Sequence, residues 1–165
     1  MRIVRFLILC LVVASTSTCK KNPNEPSDTD PNPGATNLSN GSFAVYFDGA
    51  WFNANLSIAA QNLAANTFVL TALDNAGRSV SVSIRVTAPG TYAFSGSNFG
   101  VCQIVVGSAT WVGGPSALQG SGEVTFTVFN AQRATGTFHC TAPAFATSTA
   151  VGTKLLTNGT FNVTF

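Results

Sequence analysis

Few side chains in this 165-residue sequence can do chemistry: four cysteines, one histidine and six carboxylates. A cysteine thiolate can take a lipid, close a disulfide or bind a metal. Cys19 stands between an apolar leader and a polar, proline-rich stretch, where an exported chain carries a thioether-linked lipid. Cys102 and Cys140 fall in alternating apolar segments, so both thiols face a core and are expected to form a disulfide. His139 precedes Cys140 directly, which puts the two on opposite faces of a strand and unable to converge on a metal. A catalytic triad needs a nucleophile and a carboxylate positioned around the histidine. After the proline-rich stretch the only carboxylates are Asp48, Asp74 and Glu123. Asp48 and Asp74 sit in turn sequences, where such groups cap backbone amides, and Glu123 begins a strand at its solvated edge. No spacing brings two carboxylates together for glycoside hydrolysis. No catalytic residue, cofactor or metal site is expected; an alternative, a small hydrolase using His139, has little to stand on. What remains is recognition: Tyr46, Trp51 and Trp111 carry rings that can stack on sugars or anchor a partner protein, the competing and favoured reading being a second small core in which the stretch from Gly107 to Gly122 covers Trp51.

The first residues explain why Cys19 is exposed to lipidation. Arg2 and Arg5 are followed by nine apolar residues from Phe6 to Ala14, then by Ser15 to Thr18, the order of a secretory signal. The apolar run is shorter than the roughly 20 residues that span a bilayer as a helix. The junction resembles a bacterial lipobox, with Thr16 and Thr18 where that motif has an aliphatic and a small residue. Cys19-Lys20-Lys21 resembles the start of many Bacteroidetes lipoproteins. The competing cut, near Ala14-Ser15-Thr16, would leave three thiols in an oxidising compartment. Lipid on Cys19 removes the odd one and leaves an even pair.

Residues 1–18 therefore read as signal peptide, 19–40 as a lipidated tether and 41–165 as one domain. The tether holds Pro23, Pro26, Pro31 and Pro33 among Asn, Asp, Ser and Glu, too little apolar surface to fold on. Once the leader is removed, Lys20, Lys21, Arg78, Arg85, Arg133 and Lys154 balance Glu25, Asp28, Asp30, Asp48, Asp74 and Glu123. A neutral chain without a basic cluster lacks the footprint of a nucleic-acid binder. The expected location is the outer membrane, in either leaflet, with the membrane engaged through the lipid.

Within the domain the apolar period is two. Phe43, Val45 and Phe47 alternate, Asp48-Gly49 is a two-residue hairpin turn, and Ala50 to Leu56 returns. Closing that hairpin pairs Val45 with Phe52 on one face and Tyr46 with Trp51 on the other. Thr67 to Leu73, Arg78 to Val86, Thr91 to Phe94, Val101 to Val106, Glu123 to Phe129 and Arg133 to Thr141 follow as strands. Val80, Val82 and Ile84 point inward against Ser79, Ser81 and Ser83. Residues 107–122, which hold Trp111, read as a loop, and Asn158-Gly159 reads as the turn of a closing hairpin. About nine to ten short strands without a helical period predict an all-β domain, an antiparallel sandwich or closed barrel. The strands are mostly too short for an outer-membrane barrel.

The run from Phe43 through Asp48-Gly49 and Trp51, with Gly90-Thr91-Tyr92, Gly136-Thr137-Phe138 and Thr157 to Phe161, resembles a family of small Bacteroidetes lipoproteins catalogued as a domain of unknown function. That resemblance implies the same layout of signal, lipidated cysteine and one β domain. It brings no catalytic residues. The expected role is non-enzymatic: a lipid-anchored envelope protein that binds a glycan or an envelope protein, or a structural lipoprotein without a small ligand.

Overall fold

The computed structural model describes residues 41–62, 64–115 and 118–165. The leader, the tether and Cys19 lie outside the described residues. The domain is a two-layer antiparallel sandwich. Its strands are β1 (Ser42–Phe47), β2 (Ala50–Asn53), β3 (Leu56–Asn62), β4 (Thr67–Leu73), β5 (Ser79–Arg85) and β6 (Gly90–Ala93), followed by β7 (Val101–Val106), β8 (Ala109–Gly113), β9 (Ser121–Phe129), β10 (Arg133–Pro143) and β11 (Thr153–Thr164). One sheet has six strands in the order β2-β1-β11-β10-β9-β6; the other has five, β3-β4-β5-β7-β8. Neither closes on itself, which decides for a sandwich over a barrel.

Alternation builds the layer between them. Phe68, Leu70 and Ala72 on β4 and Val80, Val82 and Ile84 on β5 are buried against Val124 and Phe126 on β9, Phe138 on β10 and Leu156 and Phe161 on β11. Phe68 joins the sheets: its ring meets Phe126 edge-on at 5.1 Å and lies tilted against Phe161 at 5.7 Å. Such pairs add about 0.5–1.5 kcal/mol each beyond the area they bury. The one buried polar residue among those described, Asn162, accepts hydrogen bonds from Arg133 Nε at 2.9 Å and from the Thr135 hydroxyl at 3.1 Å.

The first hairpin forms as its sequence requires. Asp48 (φ 54°) and Gly49 (φ 77°) both take the left-handed conformation of a type I′ turn. Phe47 pairs with Ala50, Tyr46 with Trp51 and Val45 with Phe52.

Two expectations need correction, and one segment whose pattern was ambiguous is resolved. Residues 107–122 are not all loop: Gly107 (φ 59°) turns β7 into β8, and Trp111 pairs with Ile104. Leu56–Asn62 is a full strand, β3. Asn158-Gly159 does not close a hairpin; β11 runs straight through it. Asn158 takes φ 53°, and the registers with β1 and β10 both slip there, between Ala44 and Tyr46 and between Phe138 and Cys140. The dipeptide serves a bulge, which needs the same left-handed residue as a turn. Gly159 is obligatory for a second reason: a Cβ there would meet the Phe138 ring at 2.4 Å. Merging two expected strands and adding β3 and β8 gives eleven.

Candidate functional site

The outward face of the six-stranded sheet carries the aromatic pair. Because Phe43, Val45 and Phe47 are drawn into the core, Tyr46 must point out of it, and Trp51 opposite does the same. Their rings meet edge-on with centroids 5.5 Å apart, and both are half-buried. Tyr46 pairs with Thr157 on its other side. His139 pairs with Glu123, and Glu123 with Ala93. The outward positions thus run across the sheet as Trp51, Tyr46, Thr157, then His139 and Glu123 beyond the bulge.

A second outward row lies alongside: Asn53, Ala44, Thr160, Thr137, Thr125 and Thr91. The Thr91 and Thr125 hydroxyls are 2.9 Å apart. Where the rows meet the bulge, Thr137, His139, Thr157, Asn158, Gly159 and Thr160 line an open groove of about 610 Å³. Its polar groups are hydroxyl, amide and imidazole, with no carboxylate, lysine or arginine among them. The Thr160 hydroxyl is buried and has no hydrogen-bond partner among the described residues. A buried hydroxyl of this kind is ordinarily met by an ordered water or a ligand, and Ser42 and Ser57 carry two more elsewhere among the described residues. The groove follows from the bulge, since the extra residue of β11 breaks the pleat and opens a depression beside Tyr46.

Trp111 does not share this face. It is buried on β8, its indole Nε1 donates to the Val151 carbonyl at 3.1 Å, and the Lys154 ammonium lies 4.5 Å from the ring centroid. Lys154 also pairs with Asp48. The ring is therefore a satisfied core side chain, and the ligand role expected for it has no surface to act on.

The remaining chemistry-bearing residues are separated. Asp74 accepts hydrogen bonds from the Ala76 and Arg78 amides at 3.0 and 2.9 Å and from Arg78 Nε at 2.6 Å. Burial pushes its carboxyl up, but the Arg78 side chain, those amides and the Arg78 charge together hold it below the ordinary carboxylate value. His139 and Glu123 are cross-strand neighbours, a proximity that chain order did not reveal. With Asp48 tied to Lys154 and Asp74 to Arg78, no second carboxylate joins them. Among the described residues no three metal-ligating side chains cluster.

Cys102 on β7 and Cys140 on β10 are buried thiols from facing sheets. Gly113, the cross-strand partner of Cys102, makes room for Cys140, whose sulfur lies 2.6 Å from where a Cβ would stand. The hydrogen bond with Cys140, complete burial and the proximity of a second thiol push the Cys102 thiol well above its usual value. Sequence spacing pointed to Tyr46, Trp51 and the two cysteines. It missed Thr137, Thr157, Asn158 and Thr160, for which the signal was the Asn158-Gly159 dipeptide inside a long alternating run.

The model of one family, described as a domain of unknown function (DUF6252), matches residues 39–163. No curated protein and no solved structure matches the chain.

Proposed function

The chain belongs to the DUF6252 family, and we propose that its domain is a non-catalytic binding module that holds a neutral glycan against the outward face of the six-stranded sheet. The observation that carries this reading is the Tyr46–Trp51 pair, whose Tyr46 pairs with Thr157 on the rim of a groove of hydroxyl, amide and imidazole groups without a carboxylate, lysine or arginine. A pyranose presents an apolar C–H face and a rim of hydroxyls. The first suits an indole, the second suits Asn158, Thr137 and Thr160. Such sites do not need the perturbed acid and base of a hydrolase. In this reading the leader directs export, lipid on Cys19 anchors the chain to the outer membrane, and residues 19–40 hold the domain away from the bilayer.

The test is a glycan array probed with the detergent-solubilised full-length chain, followed by titration of a retained glycan against tryptophan fluorescence. Retention that falls at least tenfold in Trp51→Ala supports the reading. An array without a retained glycan, or retention unchanged in that variant, overturns it in favour of an envelope-protein partner or a purely structural lipoprotein. Glycan hydrolysis lost in His139→Ala would instead make the protein a hydrolase.

The same compartment bears on Cys102 and Cys140. We propose that they close one S–S bond across the two sheets. The pair loses two electrons and two protons to a thiol oxidase or another disulfide donor of the envelope. A loop of this length makes the bond worth about 3–4 kcal/mol on the chain-entropy account. Unfolding unreduced protein in an alkylating reagent should label neither thiol; two labels would refute the bond.

A further inference from the structure

A second site lies at one end of the sandwich, away from the aromatic face. Among the described residues the cations are Arg78, Arg85, Arg133 and Lys154. Arg78 bonds Asp74, Lys154 pairs with Asp48, and Arg133 donates to Thr135 and Asn162. Arg85 alone meets neither a carboxylate nor a side-chain acceptor. Its guanidinium carbon lies 4.4 Å from the centroid of the Phe99 ring, itself 56% exposed. Covering one side of a guanidinium with an aromatic ring fixes its direction while leaving its N–H donors unspent.

Arg85 also lines a cleft of about 290 Å³, together with Asn66, Thr87, Tyr92, Ser97 and Asn98 and the apolar Ala65 and Val86. Among the described residues no carboxylate lines it. The backbone ties the cleft to two loops: Arg85 N donates to Asn98 O, and Val86 N to Asn66 O, each at 2.8 Å. Each loop also holds a non-glycine residue in the left-handed region, Asn66 at φ 50° and Phe99 at φ 47°. For a phenylalanine that conformation persists only where its surroundings impose it. The Tyr92 hydroxyl donates to Ala88 O at 2.8 Å and accepts from Ala88 N at 3.3 Å, which braces the third connection. A fixed cation, neutral polar neighbours and room for about one sugar ring form an oxyanion cradle.

We infer that this cleft binds an oxyanion group on a monosaccharide-sized ligand, with Arg85 donating to the anion and Phe99 holding the guanidinium in place. Carboxylate and phosphate share the two-pronged geometry that arginine recognises. The inference does not depend on the aromatic face, because the two sites share no residue.

The test is a titration of the full-length, isotope-labelled chain, followed by amide NMR, with D-galacturonate, D-glucose 6-phosphate and D-galactose as probes. At least one anionic probe should shift the amides of residues 85–87 and 97–99 with millimolar half-saturation, weakened by added salt. Earlier saturation by galacturonate assigns a carboxylate ligand; earlier saturation by the phosphate assigns a phosphorylated one. Galactose should leave those amides in place. Arg85→Gln, an exposed change, should raise the half-saturating concentration at least tenfold, and Phe99→Ala about threefold. Equal shifts with galactose, no shift with either anion, or an unchanged titration in Arg85→Gln would overturn the proposal.

Discussion

The two sheets enclose the same core and differ in what they show to solvent. On the five-stranded sheet two of the outward rows are Leu56, Leu73, Ser79, Val105 and Thr110, and beside them Ile58, Thr71, Ser81, Gln103 and Val112; Arg85 stands at the end of the face. Nearly all are aliphatic or small hydroxyl side chains, and all four strand pairings keep register. On the six-stranded sheet the pairings of β1 with β11, β10 with β11 and β10 with β9 each slip once. The outward aromatics and the groove lie on that side. A regular pleat presents side chains at fixed intervals and leaves little depth between them; a bulge re-aims them and makes a hollow. The regular sheet therefore offers little relief along its strands, and the irregular one carries the groove at which we propose a glycan binds.

Breaking what the sheets share should cost most. Phe68→Ala removes the ring that touches both layers, and urea unfolding should show a loss of about 3–5 kcal/mol. A loss below about 1 kcal/mol would mean that each sheet is held without the other.

A smaller loss tests the five-stranded sheet alone. Asp74→Ala leaves the β4–β5 turn without its charged acceptor and should cost about 1.5–3 kcal/mol near neutral pH. Because the folded carboxyl titrates below its ordinary 3.8, its contribution is present above that pH. As pH falls through the lowered folded value that contribution is lost, so the gap between wild type and variant should close. A gap independent of pH would point to backbone geometry and away from the charge.

Next comes the contrast between the faces. Trp51→Ala should weaken glycan retention at least tenfold, about 1.4 kcal/mol, while Ile58→Ser on the other sheet leaves it unchanged. Equal effects would erase that contrast. Smallest of all, Ile58→Ser should change stability by no more than about 0.5 kcal/mol, since the side chain it replaces is 58% exposed.

Local chemistry made much of this legible. The Asp48-Gly49 turn fixed the partners of Tyr46 and Trp51, and the alternation from Ser79 to Arg85 fixed the inward face of β5. The dipeptide at Asn158 was ambiguous because a hairpin and a bulge ask for the same backbone angle, and only the strands on either side decide between them. Trp111 was misplaced for a related reason: a short stretch bounded by glycines looks like a loop until β7 supplies a partner. β3 was obscured because its small residues carry little apolar alternation: Ala59 is half-buried and Ala60 exposed. The groove depends on strands far apart in sequence, and Arg85 could be known as unpaired only once every carboxylate of the domain had a position.

The edges of the sandwich are also unequal. β2 and β6 have four residues each, and β8 is covered where Phe145 N donates to Thr110 O at 2.9 Å and Ser148 meets Thr110. β3 spans seven residues without charge, proline or glycine, lacking the usual guards against pairing with another chain.

The position of β1 has a mechanical corollary. The domain's first strand lies between β2 and β11, laddered on both sides, so tension arriving from the N-terminal side of Ser42 runs along a strand bonded to two neighbours. Hydrogen bonds perpendicular to that pull share it in shear, so they must yield together and cannot be unzipped in succession. A pull on the chain ahead of Ser42 would be resisted by both ladders at once until β1 slides.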